Sequence, residues 1–94
     1  MNQPNRTAAA YLAMPAEFRD RHPRPLVRAD QAAIAGWLNA MHVSAETAVK
    51  NFLAMATRAV TVGDTAGARL MLDETAPYRD LMVQLDQLAA ARKG

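Results

Sequence analysis

Side chains suited to catalysis or metal binding are few in this chain. Its 94 residues include two histidines, His22 and His42, and no cysteine. Ser44 follows His42 by two positions, but a serine nucleophile needs an imidazole that a third group orients, and the neighbouring sequence offers none. His42 would meet Glu46 one turn later in a continuous helix, but Ser44 indicates a break there, and no further His, Asp or Glu completes a metal-ligand set. The scattered glycines form no phosphate-binding loop. The sequence predicts no enzyme, no metal and no cofactor.

Nucleic-acid recognition is a second candidate chemistry. Within the segment 34–53, the run Val43-Ser44-Ala45-Glu46-Thr47 resembles the entry to the recognition helix of helix-turn-helix proteins. Leu38 is large for the tight helix crossing of that motif, and Glu46 would repel phosphate, so an ordinary N-cap after a turn is the favoured interpretation. The resemblance implies base contacts from Lys50 and Asn51 and phosphate contacts from Arg24, Arg28 and Arg58.

The charge distribution gives this alternative limited support. The formal net charge of the whole chain is +2. Residues 1–28 hold five arginines against two carboxylates, a net +3, and the remainder is close to neutral. Nucleic-acid binders usually concentrate more basic side chains, with aromatic residues between them. A DNA-binding regulator is therefore the alternative and not the leading hypothesis.

Helices must position all of these residues. The periodicity predicts an all-α fold, a compact antiparallel bundle of about four helices with a short N-terminal helix and a Pro/Arg linker. Two prolines in the run His22-Pro23-Arg24-Pro25 force an extended stretch. We expect a basic arm over 1–28 and a bundle over 29–94. The expected bundle helices lie near residues 30–41, 45–62, 65–75 and 77–92.

Three breaks separate the predicted bundle helices. They fall at His42-Val43-Ser44, at Gly63-Asp64 and at Thr75-Ala76-Pro77. Asp30, Ser44, Asp64 and Thr75 are residue types that favour the N-cap position, and Gly63 suits the end of a helix.

Two helices have a marked apolar face. In the segment 45–62, apolar residues fill about half of the circumference, which predicts the central helix of the bundle. In the last helix, a narrower apolar stripe is typical of bundle packing. That stripe comprises Tyr78, Leu81, Met82, Leu85, Leu88 and Ala89.

The turn at Gly63-Asp64 allows one further comparison. The positions of Phe52, Ala56, Ala68 and Leu72 around it are similar to those in one tetratricopeptide unit. A repeat array needs about three such units to bury a continuous core. The favoured interpretation is a single helix hairpin with a Gly-Asp turn.

Composition favours an interaction role. Alanine occupies 21 positions, with two Phe, two Tyr and one Trp, so the core is thin. A small domain with a thin core gains stability from a partner. No apolar run has the length of a membrane span and no secretory signal is present, so we expect a cytoplasmic protein without membrane contact.

The leading hypothesis is a small, non-enzymatic protein–protein interaction module that binds a protein partner or itself as a homo-oligomer. The predicted contact residues are Trp37, Leu70, Met71 and Tyr78.

Overall fold

The computed structural model describes residues 3–26 and 28–93, and this part of the chain is mostly helical and contains no strand. The all-α prediction is therefore confirmed. The five helices are α1 Gln3–Leu12, α2 Ala16–Arg21, α3 Gln31–Thr61, α4 Thr65–Glu74 and α5 Ala76–Lys93.

Helix α3 is a single element of 31 residues, and the predicted break at His42-Val43-Ser44 is wrong. Helices over 30–41 and 45–62 were expected, but nothing in the intervening sequence stops a helix. The run contains no Gly or Pro, and its β-branched and serine residues cost only a few tenths of a kcal/mol each in helix propensity. Ser44 is therefore an interior helix residue and not a cap. The N-cap at Asp30 is confirmed, since its carboxylate accepts from the Ala33 N–H at 2.8 Å.

The turn between α3 and α4 follows the sequence prediction closely. Gly63 has φ +81°, a left-handed conformation that favours glycine. The N–H groups of Gly63 and Asp64 donate back to the carbonyls of Val60 and Ala59 at 3.0 and 2.8 Å. This pair of bonds is the Schellman motif. The Asp64 carboxylate then caps α4 through the Gly67 N–H at 2.8 Å.

Thr75 was predicted to cap α5 with its side chain. It instead ends α4 and forms no such cap. Its hydroxyl donates backwards to the Leu72 carbonyl at 2.6 Å, and the residue is buried. A side-chain cap needs N–H groups in the first turn of the next helix, and Pro77 removes one of them. Only the Thr75 carbonyl takes part in α5, where it accepts from the Arg79 N–H at 2.9 Å.

One hydrophobic core joins the N-terminal segment to the bundle. Phe18 is 1% exposed, and it shares a cluster with the fully buried Met41 and Leu81. The other buried members are Ala10, Tyr11, Met14, Ala45 and Leu85. Residues on both sides of position 28 therefore contribute to the same core. The division into a basic N-terminal segment over 1–28 and a helical bundle over 29–94 stays a prediction about domain organisation.

The molecule is elongated, with dimensions of 50 × 26 × 18 Å. A 31-residue helix spans about 46 Å at 1.5 Å per residue, so α3 accounts for the long dimension. The shared core lies along the first half of α3, while the second half packs mainly against α4. We name residues 49–74, the second half of α3 with α4, the α3–α4 arm. Among the described residues, no helix has the length and apolar character needed to traverse a lipid bilayer.

Candidate functional site

His22 joins three elements at the junction of α2 and the linker. Its backbone carbonyl accepts hydrogen bonds from the Tyr11 hydroxyl and the Trp37 indole N–H, both at 2.9 Å. Its imidazole Nε2 lies 2.8 Å from the Ser44 hydroxyl on α3. The imidazole also packs against Phe18, with ring centroids 4.8 Å apart. One residue therefore holds α1, the linker and α3 together.

Aromatic rings continue from this junction in two directions. Tyr11 meets Trp37 edge to face at 5.4 Å between centroids, and the Arg24 guanidinium lies 5.8 Å from the centre of the Tyr11 ring. On the other side, Tyr78 contacts Phe18 at 5.9 Å and Phe52 at 5.8 Å. Together these contacts extend from Arg24 in the linker to Phe52 in the α3–α4 arm.

Burial shifts two pKa values in this region. The pKa of His22 is lowered from its usual value, mainly because burial desolvates the imidazolium and secondly because Arg21 repels it. The pKa of the Tyr78 phenol is raised, first by burial and then by the carboxylates of Glu74 and Glu17, with Arg21 opposing them. Neutral forms of both side chains are therefore favoured in the folded protein.

The His22–Ser44 pair has the distance of a nucleophile and its base, but its surroundings do not resemble those of a hydrolase. Ser44 lies in the interior of α3, where the backbone N–H groups are used by the helix and are not free to stabilise an oxyanion. We read this hydrogen bond as a structural tie between the linker and α3.

His42 lies apart from this pair. Its Nε2 is 3.0 Å from a carboxylate oxygen of Asp86, so it joins α3 to α5. The described residues contain no group of three metal-ligating side chains.

The α3–α4 arm exposes large apolar side chains that its sequence pattern marks for burial. Ala56 and Ala68 are buried between the two helices, but larger neighbours are not. The exposed fractions are 45% for Leu53, 48% for Met55, 59% for Val60, 76% for Val62, 61% for Leu70 and 46% for Leu72. The second half of the segment 45–62, which the sequence predicts as the central helix of the bundle, therefore leaves much of its apolar side exposed. The physical reason is that α4, with ten residues, is the main cover of that half.

Part of this apolar surface forms a groove along the arm. Its lining includes Val60, Ala68, Leu72 and the charged Arg69. Leu53 precedes Val60 by seven residues, so these two side chains lie on the same side of α3. We name Leu53, Val60 and Leu72 the apolar strip.

The four predicted contact residues do not form one surface. Trp37 and Tyr78 are half-buried and pack against the core, so they stabilise the fold. Leu70 is exposed on α4 and Met71 is half-buried beside it. A contact role for Leu70 and Met71 stays a prediction.

The residues considered for nucleic-acid contacts are spread along the molecule. The segment 34–53 lies in one uninterrupted helix, so it does not form a helix-turn-helix. Arg24 and Arg28 belong to the linker, while Arg58 lies in the last turn of α3. Lys50 and Asn51 are exposed between them, and Lys50 forms a 3.9 Å ion pair with Glu46. DNA binding stays a prediction, without the motif that suggested it.

Two features of the site were missed from the sequence. The role of His22 depends on contacts with residues 11, 37 and 44, and no local pattern reports them. The exposure of the apolar strip depends on how much of α3 the other helices cover. A comparison of helix lengths indicates this exposure, because α3 has 31 residues and α4, the main cover of its second half, has ten. No protein-family model, curated protein sequence or solved structure matches this chain.

Proposed function

We propose that this protein is a small non-enzymatic interaction module that self-associates through the α3–α4 arm. The observation that carries the proposal is the exposure of six large apolar side chains between Leu53 and Leu72. Leu53, Met55 and Val60 belong to the predicted apolar half of the segment 45–62, which the single chain covers only in part. An exposed apolar surface of this kind is typical of protein–protein contact sites.

A second copy is a suitable partner for this surface. Two arms packed antiparallel across a two-fold axis would place four helices around the apolar strips, an arrangement in which each copy offers the same patch. Burying the exposed part of one such aliphatic side chain contributes about 1 kcal/mol. The three side chains of the apolar strip from each copy then contribute about 6 kcal/mol, which is comparable to the lower part of the association cost of about 4–15 kcal/mol, so we expect a reversible oligomer.

The charges of the arm are compatible with this arrangement. Lys50 is paired with Glu46 in the turn before the strip, so that cation is partly neutralised within its own helix. Arg58 and Arg69 are exposed and would remain in solvent at the rim of the interface. A polar rim around an apolar centre is the usual anatomy of a protein–protein interface.

Light scattering and sedimentation over a range of micromolar concentrations test the proposal. We expect more than one chain per particle, with the average mass rising with concentration. The substitution Val60→Gln combined with Leu72→Gln should weaken self-association at least about tenfold, since about 1.4 kcal/mol corresponds to that factor.

The matched control is Val43→Gln. Val43 is also a valine of α3, with 53% exposure against 59% for Val60, but it lies outside the arm. It should leave the mass distribution unchanged, and circular dichroism should show that all variants remain helical. A particle of one chain at the highest concentration would remove the self-association part of the proposal. Saturable, steeply salt-dependent binding to duplex DNA would instead support the regulator hypothesis.

A further inference from the structure

A cleft separate from the α3–α4 arm lies where α1, the linker, the first half of α3 and the end of α5 meet. Its volume is about 620 Å³. Small-molecule sites typically have volumes of about 300–1,000 Å³ and mainly apolar walls. The apolar wall is made by Ala8, Tyr11, Ile34, Trp37, Leu38 and Leu88.

The two aromatic residues contribute ring surface to this cleft. The Tyr11 hydroxyl and the Trp37 indole N–H both donate to the His22 carbonyl. Each side chain has only this one donor, so neither has a free N–H or O–H to offer a ligand. Tyr11 and Trp37 thus present apolar ring surface to the cleft, and the edge-to-face contact between them holds both rings in place.

Arg24 gives the cleft its electrostatic character. It is the charged residue among those lining the cleft, and its guanidinium lies over the Tyr11 ring. Within residues 3–26 and 28–93, Arg24 forms no ion pair with a carboxylate. A guanidinium that is held over an aromatic ring and lacks a carboxylate partner presents a planar set of donors to an anion.

We propose that this cleft binds an aliphatic monocarboxylate, with its hydrocarbon chain against Ile34, Leu38 and Leu88 and its carboxylate on Arg24. A cationic amphiphile would meet the repulsion of Arg24. A polyanion would have one guanidinium to pair with, and its other charges would lie against a mainly apolar wall. A single negative head on an apolar chain is the class of ligand that satisfies both parts of the site. The proposal does not depend on self-association.

Trp37 provides a direct measurement, because it is the one tryptophan of the chain and it lines the cleft. Decanoate, kept below its micelle concentration, is titrated into the full chain while the indole fluorescence is recorded. We expect a saturable change with one ligand per chain, confirmed by calorimetry. Arg24→Gln should weaken binding about tenfold, the size expected for loss of a charge-assisted hydrogen bond.

Two comparisons isolate the carboxylate contact. Arg28→Gln removes an arginine from the same linker that does not line the cleft, so decanoate affinity should stay unchanged. Decanol and decyltrimethylammonium carry the same hydrocarbon chain without the carboxylate, and both should bind more weakly than decanoate.

Binding at the arm must be separated from binding at the cleft. The variant Val60→Gln with Leu72→Gln should keep the decanoate affinity of the unsubstituted chain. A lack of any saturable fluorescence change would overturn the proposal. Equal loss of affinity in the Arg24 and Arg28 variants, or equal binding of decanol and decanoate, would also overturn it.

Discussion

At the scale of single residues, His22 shows how a linker can be fixed without regular structure. Its carbonyl accepts from two aromatic side chains, and its imidazole contacts Ser44 and Phe18. Hydrogen bonds in a partly buried setting are costly to lose, because the remaining polar groups lose water without gaining a partner. The carbonyl contacts belong to the backbone and survive substitution, whereas the imidazole contacts do not.

The lowered pKa of His22 makes stability depend on pH in a defined direction. The unfolded chain takes up a proton near pH 6.5, the usual histidine value, while the folded protein does so only at lower pH. The unfolded state therefore binds more protons between these two values, and the free energy of unfolding falls as the pH falls below about 6.5. The contribution is fully present above that pH. Urea unfolding at a series of pH values from neutral to mildly acidic measures this slope.

Histidine substitutions show which residue causes the pH dependence of the free energy of unfolding. His22→Gln should flatten the pH dependence between neutral and mildly acidic solution, because the titrating group is gone. His42→Gln is the matched control, since it removes the other histidine of the chain and leaves the His22 contacts in place. If His22→Gln keeps the full slope, another group is responsible for it.

At the scale of elements, two glycines of the long helix and its turn should respond oppositely to alanine. A Cβ on Gly36 would meet no atom within 4 Å, and the residue lies in the interior of α3. Gly36→Ala should therefore stabilise the protein by roughly 0.5–1 kcal/mol. Gly63 has φ +81°, so Gly63→Ala should destabilise it by roughly 1–2 kcal/mol. Urea unfolding measures both changes, and a stability loss in Gly36→Ala would contradict the open space around Gly36 in a helix interior.

The same elements show what the sequence could predict. Asp30, Gly63 and Asp64 act within three or four residues of themselves, so local chemistry was sufficient to place the start of α3 and the turn into α4. Ser44 has the chemistry of a cap, yet its hydroxyl contacts His22, which lies 22 positions away in the chain. Nothing in the local sequence stops the helix at Ser44, and the contact that engages its hydroxyl is one that no local pattern contains.

The candidate surface was predictable only in part for a similar reason. Periodicity correctly identified an apolar face on the second half of α3, but periodicity does not state what covers that face. In the fold, α5 packs beside the N-terminal elements and the core, and the cover over residues 53–62 comes mainly from α4. The apolar strip is thus exposed because the other helices together cover only part of the apolar side of α3.

At the scale of the whole molecule, the position of the core determines which parts depend on each other. The core lies toward one end of an elongated chain and takes side chains from α1, α2, α3 and α5. The α3–α4 arm contributes few buried residues, with Ala56 and Ala68 between its helices. The core end of the molecule should therefore contribute most of the stability, and the α3–α4 arm should contribute less.

This arrangement leads to a prediction about residues 1–28. Removing them would expose Met41 and Leu81, both fully buried, and would delete Phe18 from the centre of the cluster. The segment 29–94 alone should therefore lose cooperative thermal unfolding. Within the full chain, Phe18→Ala should cost about 3–5 kcal/mol. Leu12→Ala, at a site with 57% exposure in the same segment, should cost much less.

Calorimetry of the shortened chain distinguishes the two views of its organisation. An independent bundle over 29–94 would unfold cooperatively with a midpoint close to that of the full chain. A shared core requires instead a broad or absent transition, because the side chains that remain cannot close the gap left by Phe18 and Tyr11. Adding the peptide 1–28 in excess should then restore part of the transition, since binding to the folded state stabilises that state by mass action. Restoration by a peptide carrying Phe18→Ala to the same extent would contradict a core role for that ring.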